Sequence, residues 1–344
     1  MTYPIIDLTF WNPGDPGTPE IDALLADART PLAKHGLTGI ASVYSEETGA
    51  TLHDAHRWWA HEIAMQSLAV DGALTEIVPA LREAGVAFFV AKGPVIAYST
   101  YERARMRTYC DLDVYVTPDA LVDARRALAP LGYRPVDQRP GQLGGLAREL
   151  HGGRYGAVVE VHDSVVDNLH RRYLPGVSAY LPYVEERDIM GLAVPVLASS
   201  AHVALQAVHL AAGHRYAKAI LFRDIVTVAA DIDRSILEEL GAGRYYDTAA
   251  SVISMIRPQN AVSDPSHGAG ALQRIAAHAF GSANPIDWDE HRASTANVLA
   301  LLNQDSVRHK VGAAVGGARA LLPASGRRVV LVRPHLRHRA STPA

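Results

Sequence analysis

The 344-residue chain has a single cysteine, Cys110. One cysteine forbids an internal disulfide and leaves no cysteine-based zinc site, which fits a reducing compartment. Lysine is scarce, occurring only at Lys34, Lys92, Lys218 and Lys310, so arginine carries most of the positive charge. Neither sign of charge dominates. The formal net charge of −3 provides no global attraction to nucleic acid or anionic lipid, so neither receives support as a partner, while a local basic patch for nucleic acid stays open. Uninterrupted hydrophobic runs are also missing. The most apolar stretch, 191–213, contains Pro195, His202, Gln206 and His209 and reads as a buried helix of a soluble protein rather than a membrane span. The first residues lack the basic and apolar segments of a signal peptide, and the expected location is the cytoplasm.

What is present is ordinary globular composition, 48% apolar and 20% charged, which excludes disordered and fibrous classes. The length corresponds to about two or three structural units. Residues 1–18 are rich in Pro and Gly and read as an irregular lead-in. From Ile21 to Glu83 the apolar spacing is helical, with start signals at Thr51 and Asp54 and a stop at Gly85. The period then changes. Val86–Ala91 reads as a buried strand, Pro94 opens a helix to about Glu102, Asp111–Val116 alternates as a strand, and Pro118–Leu131 forms a helix ended by Gly132. Tyr133–Val136, Ala147–His151 and Ala157–His162 are further strands, the last two joined as a hairpin at Gly152-Gly153. Helical periodicity returns from Ser199. The expected organisation is a helical region over 1–83, an α/β core over 84–190, a helical domain over 191–320 and an arginine-rich tail over 321–344.

Chemistry concentrates in the core. Residues two apart on a strand share a face, so Asp111 and Asp113 point together while Leu112, Val114 and Val116 face the opposite way. Two carboxylates this close repel unless a cation neutralises them, and a hard divalent ion with oxygen ligands is the natural partner. In Val158-Val159-Glu160-Val161-His162, Glu160 repeats the pattern and shares its face with His162. If the two strands are neighbours, three carboxylates can hold two ions for an in-line phosphoryl displacement. Phosphates need a cradle of their own. The strand ending at Lys92-Gly93 before a helix start offers free N–H groups, a glycine that admits close approach, and a cation. Arg107 adds a second cation.

This series, Lys92-Gly93-Pro94, Arg107, Asp111-Leu112-Asp113 and Val159-Glu160-Val161-His162, resembles the nucleotidyltransferase superfamily of the DNA polymerase β type. Within it the chain is similar to the bacterial branch of uncharacterised nucleotidyltransferases, over roughly residues 65–230. The resemblance implies an α+β fold in which a polymerase-β-like core, a small mixed sheet with helices, is flanked by N- and C-terminal helical regions. It implies transfer of a nucleoside monophosphate from an NTP to a small-molecule or peptide/protein acceptor, with release of pyrophosphate and dependence on two Mg²⁺ ions or on Mn²⁺. Asp111, Asp113 and Glu160 would hold the metal, with Glu160 a candidate general base. Lys92, Gly93 and Arg107 would contact the triphosphate. A second segment of the resemblance, His209 to Asp224, marks Lys218 as a phosphate or base contact, with Asp224 orienting Lys218 or Arg223. The phosphate turn departs from the wider superfamily, carrying Lys-Gly in place of Gly-Ser. Rival readings are a toxin- or antitoxin-like enzyme acting on tRNA or a protein, and a non-catalytic nucleotide-binding scaffold.

Structural roles are weighed beside these. Arg107 pairs equally well with Glu102 or Asp111 as a structural ion pair, and His162 reads as a packing or hydrogen-bonding residue. His53, His56 and His61 lack the His-Glu-x-x-His pattern and are expected on a surface face. Trp58 and Trp59 are expected to fill the helical core or an interdomain seam, and Cys110 to be buried.

Overall fold

The computed structural model describes residues 4–135, 147–166, 174–214, 218–229 and 231–256. Five helices come first: α1 (Pro4–Phe10), α2 (Pro19–Ala26), α3 (Leu32–His35), α4 (Thr38–Thr48) and α5 (Asp54–Glu83). Strand β1 (Phe88–Ala91) and helix α6 (Gly93–Thr100) follow, and a 3₁₀ turn at Ala104–Met106 leads into β2 (Asp111–Val116). Then come α7 (Leu121–Leu128), β3 (Arg134–Pro135), β4 (Ala147–Gly152), β5 (Ala157–His162), β6 (Val184–Ile189) and β7 (Leu192–Leu197). Helix α8 (Ser199–Val208) runs on as a π-helical turn at His209–Gly213, before α9 (Ala219–Val228), α10 (Arg234–Glu239) and α11 (Gly243–Ile256).

The strands form one mixed sheet in the order β3-β4-β5-β2-β1-β7-β6. Beside β2, β1 is antiparallel and β5 is parallel. The alternation of β2 sorts its side chains to two different cores. Leu112, Val114 and Val116 join Val159 and Val161 under Leu74, Ile77, Val78 and Leu81 of α5 and Leu121 and Leu128 of α7. Tyr115 faces the other way with Phe89 and Ala91, into a second cluster that includes Ile5, Leu25 and Tyr44 from the N-terminal helices and Val203, Phe222 and Ile253 from the C-terminal ones. The helices on either side of the sheet region in sequence thus share one apolar cluster on its second face. Arg223 of α9 ties the two ends together by donating from Nη1 to the carbonyls of Thr9 and Trp11.

Helix α5 begins at Asp54 and ends before Gly85 as expected, but its cap is His53 rather than Thr51. The His53 side chain caps its N-terminus by accepting from the Ala55 N–H, and Gly85 at φ +68° takes the left-handed conformation just past its end.

Several expectations are corrected. Residues 4–10, expected to be irregular, form α1 because Ile5, Ile6, Leu8 and Phe10 are buried; tertiary burial outweighs weak local propensity. Residues 192–197 are not helical but form β7, which pairs with β1 and β6. A short apolar run bounded by Gly191 carries no period that separates strand from helix. Trp58 is 42% exposed rather than in a core, since α5 has no buried residue between His56 and Val70. His56 is buried, its Nε2 2.9 Å from the Asp27 carbonyl. Cys110 is exposed, just before β2 begins. The glycine-rich 141–145 turn, Val136 and the 321–344 tail lie outside the described residues.

Candidate active site

The sheet brings the acidic residues together by register. In the parallel β2–β5 pair, Asp113 lies opposite Glu160 and Tyr115 opposite His162. Paired residues point to the same face, so the alternations of the two strands reinforce each other. Nε2 of His162 lies 2.8 Å from Asp113 Oδ1 and 3.3 Å from Glu160 Oε2. One ligand atom each from Asp113, Glu160 and His162 fall within 4.8 Å of one another. Asp111, one alternation earlier on β2, adjoins this tight group without belonging to it.

A stack of rings fixes His162. Its imidazole lies 4.6 Å from the Tyr115 ring at 15°, and Tyr115 lies 5.0 Å from Phe89 at 5°. Three neighbouring strands each supply one ring, and the nitrogen edge of the imidazole is thereby turned toward the carboxylates.

The phosphate turn reaches the same place from β1. Lys92 Nζ donates to Asp113 Oδ1 at 2.7 Å, with both side chains nearly inaccessible. Its backbone sits at φ +58°, ψ −143°, a region that side-chain-bearing residues rarely adopt and that costs about 1–3 kcal/mol. The surroundings hold it there: the Lys92 N–H donates to His202 Nε2 on α8 at 3.4 Å, and Gly93 follows at φ +24° to start α6. The first-turn N–H groups of α6 have no intrahelical acceptor and leave a positive end beside the carboxylates.

Arg107 and Asp224 are brought together outside the tight group of Asp113, Glu160 and His162. Arg107 Nε donates to both oxygens of Asp224, at 2.9 and 3.0 Å, and the Tyr101 hydroxyl donates to Oδ1 at 2.8 Å. Asp224 is fully buried. Its hydrogen-bond partners are therefore Arg107 and Tyr101, not Lys218 or Arg223, and Arg107 pairs with neither Glu102 nor Asp111. The lysine expected beside them, Lys218, stands at the residue before α9 and makes no side-chain cap there. It lies near enough to Arg107, Cys110 and Asp111 for their charges to act on it.

Electrostatics follow from this crowding. Burial raises the Asp113 carboxyl, but Lys92 and His162 outweigh it and hold the group far below the ordinary carboxylate range. Burial, with the negative charges of Asp113 and Glu160, pushes Asp111 up to about 6 despite Lys92 and Lys218. Burial alone would keep His162 neutral; its hydrogen bonds to Asp113 and Glu160 lift it to about 9. Burial and the nearby Arg107 lower Lys218. A site whose acids repel one another and borrow protonated neighbours fits a divalent cation, which would supply the missing positive charge.

Comparison with protein families matches residues 30–239 to a family described as uncharacterised nucleotidyltransferase. The chain belongs to this family. The matched span covers more than half of the chain and includes every residue of the site just described. The seven-stranded mixed sheet with its helices is accordingly a polymerase-β-like nucleotidyltransferase core, and membership makes the protein a transferase that takes an NTP as substrate. A search of curated proteins finds no match. Among the described residues no helix is long and apolar enough to cross a membrane.

Sequence reasoning underestimated three members of the site: His162 as part of the metal-competent group, Tyr115 as its backing ring, and Tyr101 as a partner of Asp224. The shared face of Glu160 and His162 was legible in the alternation of β5. The stacking was not, because it depends on the pairing of three strands.

Proposed function

We propose that this nucleotidyltransferase transfers a nucleoside monophosphate from an NTP to an acceptor group on a small molecule, peptide or protein. The observation that carries the reading is the parallel register setting Asp113 opposite Glu160, with Lys92 joining them from the glycine turn. In the reaction an acceptor oxygen attacks the α-phosphorus and the bond to the bridging oxygen of the β-phosphate breaks. Pyrophosphate leaves, and the acceptor proton passes to a carboxylate. Glu160, more accessible than Asp113, is suited to take that proton.

Asp111, Asp113 and Glu160 would hold one or two divalent cations, Mg²⁺ or Mn²⁺. When bound, these supply charge stabilisation to the attacking and leaving oxygens. The chain's own groups do the rest. The first-turn N–H groups of α6, with that of Gly93, donate to the phosphate oxygens. Lys92, held on Asp113 in the free protein, moves onto the triphosphate as cation and nucleotide enter, exchanging one anionic partner for another. Arg107 is kept rigid by Asp224 and braces the loop leading into β2. Lys218, its ammonium near Asp111, adds a contact for the nucleotide. The need for an NTP donor supports a cytoplasmic location.

The test is incubation of the purified full chain with each NTP and Mg²⁺ or Mn²⁺, following pyrophosphate release and, by mass spectrometry, mass gain on candidate acceptors. Asp113→Asn is expected to reduce pyrophosphate release by about a thousandfold or more, and circular dichroism at the assay temperature checks that the variant stays folded despite the uncompensated Lys92. Undiminished release in that variant would remove the acidic cluster from the chemistry.

A further inference from the structure

We propose that His162 is itself a ligand, supplying an imidazole nitrogen to the cation held by Asp113 and Glu160, so that the site selects first-row transition ions over Mg²⁺. The inference deepens the reading above and rests on it only for the presence of a cation at this cluster.

The geometry is that of a coordination edge. Two ligand atoms each about 2.1–2.2 Å from one ion and at right angles to each other are separated by about 3 Å. His162 Nε2 lies 2.8 Å from Asp113 Oδ1 and 3.3 Å from Glu160 Oε2, bracketing that spacing. Asp111 does not belong to this tight group, so the third converging donor is the imidazole.

The ring is also preorganised. It stacks face to face on Tyr115, which is backed in turn by Phe89, and the side chain is nearly inaccessible. A histidine that merely filled space would not need its nitrogen edge on two carboxylates. Lys92, the other donor on Asp113 Oδ1, has an ammonium with no lone pair and leaves when a cation arrives, whereas the imidazole releases its Nε2 proton to solvent and the freed lone pair binds the ion from the same position.

The chemistry of the donor set gives the selectivity. Mg²⁺ favours an all-oxygen shell and gives up water reluctantly, whereas nitrogen donors favour the first-row transition series, with affinity rising from Mn²⁺ toward Co²⁺. Two carboxylates and one imidazole form a mixed set, more favourable to Mn²⁺ and Co²⁺ than three carboxylates would be.

The experiment uses the full chain with metal alone. Pulsed electron paramagnetic resonance of the Mn²⁺-loaded wild type is expected to show nitrogen coupling to the ion, and this readout requires neither a variant nor turnover. Calorimetric titration is expected to show that His162→Gln weakens Mn²⁺ binding by about tenfold or more while changing Mg²⁺ binding by less than about threefold. Absence of nitrogen coupling in the wild type, or equal losses for both ions in the variant, would overturn the proposal. The two readings fail separately. Nitrogen coupling without NTP turnover would sink the transfer reading alone, and turnover on an ion with no nitrogen coupling would sink this one alone.

Discussion

Lys92 and Asp113 form a buried ion pair, Nζ to Oδ1 at 2.7 Å, that joins the glycine turn after β1 to the acidic strand β2. The pair links the two halves of the site before any substrate arrives. It also explains how an unfavourable backbone conformation at Lys92 is kept, since the side chain is anchored on β2 and the N–H on α8.

Removing one partner of a buried pair leaves the other uncompensated. Lys92→Met is expected to lower the stability of the metal-free protein by about 3 kcal/mol and to raise the KM for NTP about tenfold. Because the metal then replaces the lost charge, the rise in Tm on adding Mn²⁺ should exceed that of the wild type. Urea unfolding, steady-state kinetics and thermal scans with and without Mn²⁺ check this. An unchanged KM would detach Lys92 from the triphosphate.

Asp224→Asn keeps the shape but leaves the buried Arg107 guanidinium without its anion. The expected loss is about 3–5 kcal/mol of stability, measured by urea denaturation. Asp224 lies far from β2 in sequence, so a loss of this size also shows that α9 clamps the loop before the acidic strand.

Gly39 on α4 meets the backbone of the 3₁₀ turn that delivers Arg107. A Cβ there would lie 2.3 Å from the Arg105 carbonyl oxygen and 2.8 Å from that of Met106. Neither is a flexible side-chain end that can move aside. Gly39→Ala is expected to cost about 2–3 kcal/mol and to reduce turnover by displacing Arg107. Thermal unfolding and pyrophosphate release report the two effects separately.

Acid should unfold the protein early. Burial holds His202 down to about 3, and His214, with help from Lys218, also to about 3, against 6.5 for a free histidine. In the folded state both stay neutral below pH 6.5, while the unfolded chain takes up protons. Their contribution is therefore complete above 6.5 and lost as pH falls toward 3. The expected slope is up to about 1.4 kcal/mol per pH unit for each group. Denaturant midpoints measured from pH 7 to pH 4, with His202→Gln giving a shallower slope, test it.

Much of the site was readable in the residues. Asp111, Asp113 and Glu160 sit in alternating segments whose faces follow from strand geometry, and β2 and β5 appear with the expected limits. The helix after Lys92-Gly93 was legible for the same reason, because glycine and proline impose local geometry. What failed was context. The apolar run 192–197 became a strand only because β1 and β6 were there to pair with it, and Trp58 is exposed because nothing in the described fold covers that part of α5.

The amino-acid order therefore determined which side chains share a face, because backbone periodicity is a property of neighbouring residues. Only the folded sheet decided that Glu160 faces Asp113 rather than Asp111, that Lys92 lands on Asp113, that Arg107 takes Asp224 as its partner, and that Tyr115 and Phe89 aim His162 at the carboxylates. Strand register and helix docking are set by burial summed over the whole core, and no local pattern encodes that sum.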